Sequence, residues 1–74
     1  MRNNKSTAAQ RSYIDGLASK AIKAGKKDLV QKIFDEAAKK NGNKPWDGYG
    51  SVIQFTHRLT KPVCSFIIGE LLKI

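Results

Sequence analysis

Between Leu59 and Leu72 the chain is apolar around most of a helix's circumference. Val63, Cys64, Ile67 and Leu71 fall on one face at about 100° per residue, and Phe66 and Ile68 widen that face on either side. Ser65, Gly69 and Lys73 leave only a narrow small or polar stripe, so more than one neighbour must cover this helix. Thr60 is placed to cap it. Pro62 is tolerated in a first turn, where backbone N–H groups lack helical partners, and Leu59 and Cys64 have the spacing of a hydrophobic staple. The pattern predicts a central helix at about 60–73.

The first half of the chain repeats the logic with narrower faces. Thr7 and Gln10 have capping-box spacing, and behind them Ile14, Leu17, Ala18, Ala21 and Ile22 recur at helical intervals up to Gly25, a natural stop. Tyr13 flanks that face with its hydroxyl toward solvent. A helix at about 8–24 follows. Asp28 and Gln31 again have capping-box spacing, and Leu29, Val30, Ile33, Phe34 and Ala37 form the apolar face of a helix at about 28–41, ended by Gly42. On its polar side Asp28–Lys32, Lys32–Glu36 and Asp35–Lys39 are spaced as i,i+4 ion pairs, each worth only ~0.2–0.5 kcal/mol.

Pro45 and the glycines at 42, 48 and 50 exclude a regular element before Ser51. From Ser51 onward Val52, Ile53 and Phe55 suit either a short extra helical turn within 51–57 or a short extended segment. Residues 1–6 carry no periodicity and read as a frayed, flexible tail, leaving 7–74 as a single domain. The fold class expected is all-α, a small three-helix bundle. Its core should hold Ile14, Leu17, Ala21, Ile33, Phe34, Leu59, Val63, Phe66, Ile67 and Leu71.

Composition adds a sign to this picture. Fourteen Lys and Arg against six acids give a net charge of +8, of which residues 1–27 carry +6. A field of that sign and asymmetry favours polyanions, nucleic acid first and an acidic protein second, although Lys-rich surfaces also serve solubility alone. The single cysteine cannot form an internal disulfide, and no apolar run approaches the ~20 residues of a membrane span. No signal-peptide pattern opens the chain. These features lead to the expectation of a cytoplasmic monomer with no membrane partner.

The catalytic inventory is thin. His57 and Cys64 are the sole residues of their types; Cys64 sits at the staple position, where packing accounts for it, and the pair does not make a zinc site. Adjacent carboxylates at Asp35 and Glu36 point different ways on a helix. Gly48-Tyr49-Gly50 lacks the preceding strand and the lysine of a phosphate-binding loop. No enzyme, metal or cofactor is expected. The aromatic loop is more informative: Trp46 and Tyr49 lie between glycines with Lys44 and Arg58 nearby, which suits stacking of single-stranded bases beside neutralised phosphates. A sole tryptophan in so small a protein more often fills the core, so Tyr49 is the better candidate for an exposed ring.

Gln10-x-x-Tyr13-Ile14-x-x-Leu17 and Leu59-Thr60-Lys61-x-x-Cys64-Ser65-x-x-Ile68-x-x-Leu71 together resemble a small helical module found at the ends of phage and bacterial DNA-metabolism proteins. In that module the second motif usually reads Leu-Thr-Lys-x-x-Ala-Ser; here Cys64 replaces the alanine, Pro62 is unusual, and residues 26–58 match only loosely. The resemblance implies an accessory role in phage DNA recombination, repair or replication alongside a helicase, within the host cytoplasm, and not helicase activity in this chain. With the charge pattern it leads to an expected interface for nucleic acid, single-stranded DNA favoured, formed by Lys20, Lys23, Lys26, Lys27, Arg58 and Lys61 on phosphates with Tyr49, and Trp46, on bases. The alternatives are a docking module for a helicase or other repair protein, and a small phage inhibitor of a host factor.

Overall fold

A computed structural model describes residues 5–74 of the chain. Four helices follow one another: α1 (Ala8–Lys23), α2 (Lys27–Asn41), α3 (Val52–His57) and α4 (Lys61–Leu72), with no strand among the described residues. The all-α expectation holds, and the short helical reading of the 51–57 stretch is the one adopted.

Each helix boundary has a local cause. Thr7 Oγ1 accepts the Gln10 amide at 3.0 Å while the Gln10 carboxamide oxygen accepts the Thr7 amide at 3.2 Å, so the capping box of α1 is complete. At the other end Gly25 takes φ +80°, a left-handed conformation that a side chain would oppose. That turn lets the Lys26 amide reach the Ala21 carbonyl at 2.9 Å and the Gly25 amide reach Ile22 at 3.0 Å. α2 departs from expectation. Its cap position is Lys26, with no side-chain cap, and Asp28 lies within the first turn. Gln31, expected to close a capping box, instead donates to the Trp46 carbonyl at 2.7 Å and to Asp35 at 3.0 Å. Nor do the expected ion pairs Asp28–Lys32, Lys32–Glu36 and Asp35–Lys39 close to within 4.0 Å, where Lys73–Glu70 does at 3.1 Å. Exposed pairs gain too little to hold two long side chains together.

α4 begins as its sequence suggests, with Pro62 in the first turn and Leu59 and Cys64 both buried. Thr60 holds the cap conformation without a side-chain bond; its amide donates to Asn41 Oδ1 at 3.2 Å. Gln10 Nε2 reaches the Lys61 carbonyl and Ser65, and farther along Leu17 and Ala21 meet Leu71 and Leu72 across a shared groove, so α1 and α4 run parallel. α2 runs antiparallel to both. α4 packs on α1 and α2, whereas α1 packs on all three other helices, which makes α1 the hub in place of the expected α4.

The core gathers Ile14, Ala18, Val30, Phe34, Leu59, Cys64 and Ile67, with Ala21, Val63 and Leu71 also buried. Leu17, Ile33 and Phe66, expected inside, are half-buried at its margin. Phe34 is its aromatic centre: Phe55 of α3 stacks on it and Trp46 meets it edge-on, each with centroids 5.1 Å apart. Of the tail expected at 1–6, residues 1–4 lie outside the described residues. Ser6 is buried, donating its amide to Leu59 O at 3.1 Å and its hydroxyl to Thr56 O at 2.8 Å. Lys5 forms an isolated bridge with Thr60. The last two tail positions are therefore docked.

Candidate nucleic-acid interface

The loop from Asn43 to Ser51 is built around a buried anchor. Trp46 is 7% exposed, its indole N–H donates to the Gly50 carbonyl at 2.9 Å, and its own carbonyl is held by Gln31. These bonds satisfy the polar atoms that burial of the ring would otherwise strand. Trp46 therefore does not offer a face for base stacking; that part of the expected interface is corrected to a structural role.

Fixing Trp46 lays the next residues across α2. The Asp47 carboxylate accepts the amides of Tyr49 at 2.8 Å and Gly50 at 2.7 Å, closing a turn that needs Gly48 at φ +87°. Those two N–H groups, Gly50 first, hold the Asp47 carboxyl below the usual carboxylate range. The backbone at Gly48 approaches α2 so closely that a Cβ there would lie 3.1 Å from Gln31 Oε1. The turn projects Tyr49 outward, 90% exposed, with Lys27 Nζ 4.9 Å from its ring centroid. One ring face thus carries a cation, and the exposed remainder is open to a planar ligand.

The four lysines Lys20, Lys23, Lys26 and Lys27 share one end of the molecule, at the turn between α1 and α2. All four are exposed, and none lies within 4.0 Å of an Asp or Glu carboxylate among the described residues. Lys20 and Lys26 flank a groove between α1 and α4, where Lys26 Nζ approaches the Ile74 carbonyl at 3.4 Å. Lys20 and Lys23 also occupy the last turn of α1, where they complement the helix dipole.

Arg58 and Lys61 are elsewhere. The Arg58 carbonyl accepts from Asn41 and Asn43 at the far end of α2, and Lys61 opens α4 beside the start of α1. With ~1.5 Å of rise per residue, the length of α2 separates them from Lys27 by ~20 Å. Arg58 instead shares a shallow depression with Lys44, Trp46 and Asp47. The structure thus puts Lys20, Lys23, Lys26 and Lys27 at one end, with Tyr49 in contact with Lys27 there, and sets Arg58 and Lys61 apart.

The chain matches no family model, no curated protein and no solved structure.

Two contributors were missed from sequence, Asp47 and Gln31. Asp47-Gly48 is a turn signal and could have been used; Gln31 carried no signal beyond its capping-box spacing, which pointed to another partner. Cys64 is fully buried in the core. Burial pushes its thiol up, and its Sγ sits 3.9 Å from the Thr56 carbonyl. No helix is long and apolar enough to cross a membrane, and no metal-ligand cluster occurs among the described residues.

Proposed function

We propose that the protein is a non-enzymatic module that binds nucleic acid, single-stranded DNA in preference, through the lysine-bearing end of α1 and α2 and the Tyr49 ring. The observation that carries this reading is the pairing of Lys27 with a 90% exposed tyrosine beside three further lysines. A single strand needs both parts. Phosphates release counterions to lysine, and an unpaired base stacks on an exposed ring, whereas a duplex hides its base faces. Arg58 and Lys44 extend the cationic track for a longer strand. The resemblance of the two end motifs to modules of phage DNA-metabolism proteins supports, as part of this proposal, a role in recombination, repair or replication beside a helicase that is another chain.

Fluorescence anisotropy with labelled single- and double-stranded oligonucleotides of equal length tests the reading. Tighter binding to the single strand at low ionic strength, weakening with added salt, is expected. Absence of salt-sensitive binding to either would overturn it.

A further inference from the structure

Lys20 and Lys26 flank more than solvent. Between the C-terminal turns of α1 and α4 lies a groove of about 300 Å³, with an apolar floor formed by Leu17, Ala21, Leu71 and Leu72. Leu72 is 60% exposed and Leu17 half-buried, while Leu71 and Ala21 lie buried beneath them, so the uncovered apolar surface is chiefly that of Leu72 and Leu17. Phosphate binding explains the lysines but gives no reason for leucines beneath them. A second depression, between α2 and α4, has Leu29, Ile33 and Phe66 in its walls but both signs on its rim: Lys32 and Lys73 with Glu36 and Glu70, of which Lys73 and Glu70 form an ion pair. That rim selects no charge. The α1–α4 groove is lined by Lys20 and Lys26 with no Asp or Glu, and although Lys26 Nζ lies 3.4 Å from the Ile74 oxygen at its edge, its side chains present one sign of charge.

We propose that this groove docks an acidic amphipathic helix of a partner protein, whose apolar side chains seat over Leu17, Leu71 and Leu72 while its carboxylates face Lys20 and Lys26. Two parallel helices leave a channel along which a third can lie, and its i, i+3, i+4, i+7 anchors would follow the floor. A second copy of this chain is the wrong occupant, because a self-complementary contact would set the lysines of one groove against those of the other. The site is distinct from the Tyr49 ring but shares its lysine-bearing end, so a docked acidic helix would compete with nucleic acid for Lys20 and Lys26.

The test uses two labelled peptides of one composition, rich in Leu and Glu, one with the leucines on a single helical face and the other scrambled. The patterned peptide should bind the full chain at least about tenfold more tightly than the scrambled one. Leu72→Ser keeps the charge and alters an exposed position; it should weaken the patterned peptide by about tenfold while leaving oligonucleotide affinity unchanged. Tyr49→Ala should do the reverse. Equal binding of both peptides, binding of neither, or indifference of the patterned peptide to Leu72→Ser would overturn the proposal. None of these results bears on nucleic-acid binding, which is read separately.

Discussion

Trp46 and Tyr49 sit in the same loop and do opposite work. Trp46 spends its ring on Phe34 and its N–H on Gly50, so Trp46→Ala should cost ~3–5 kcal/mol of stability, enough to unfold much of a domain this small. Tyr49 is almost wholly exposed, so Tyr49→Ala should leave the melting curve in place and lower single-strand affinity by ~1–3 kcal/mol. Thermal denaturation beside anisotropy separates the two roles; a Tyr49→Ala variant that unfolds would put the ring in the core. Between them, Asp47 makes the turn sensitive to acid. Its folded pKa lies below the ordinary carboxylate value, so its bonds to the Gly50 and Tyr49 amides are fully present above that ordinary value. They are lost as pH falls through the lowered one. Amide chemical shifts of Tyr49 and Gly50 should move together in that acid window, and in Asp47→Asn they should not.

At the scale of elements, periodicity was enough for α1 and α4. Ile14, Ala18 and Ala21 on one, and Val63, Ile67 and Leu71 on the other, face inward as spaced. Leu71→Ala should therefore cost ~2–5 kcal/mol, checked by urea denaturation. What sequence could not settle was tertiary competition. Gln31 had one side chain and two uses, capping α2 or holding the loop, and the loop won because the Trp46 carbonyl is drawn down by burial of its indole. The six residues of α3 are too few for a period to declare itself, and their helix rests on the Ser51 cap and on Phe55 stacking upon Phe34. Leu17, Ile33 and Phe66 satisfied the pattern yet lie at the margin, since four short helices cannot enclose every apolar position. Of the candidate site, the exposed tyrosine and the lysine run were legible. That Lys27 would stand over Tyr49, and that Arg58 and Lys61 would fall at the far end, depended on how the loop folds back along α2.

On the scale of the whole molecule, against a net charge of +8, Lys20, Lys23, Lys26 and Lys27 share one end with Tyr49, the most exposed aromatic ring among the described residues. A diffuse solubility surface would bind polyanions weakly, with every lysine contributing alike. A built interface would not: Lys20, Lys23 and Lys27 should matter, Lys32, in the depression it shares with Glu36 and Glu70, should not, and Tyr49 should act without altering salt dependence. The most direct measurement is a salt series of affinity for a labelled single-stranded oligonucleotide. For the wild-type protein log affinity should fall linearly with log salt, by about −0.7 per phosphate neutralised. Lys20→Ala with Lys23→Ala should flatten that slope, Lys32→Ala should leave it unchanged, and Tyr49→Ala should lower the whole line in parallel. Lines that shift alike for every lysine removed, with no effect of Tyr49→Ala, would contradict the account.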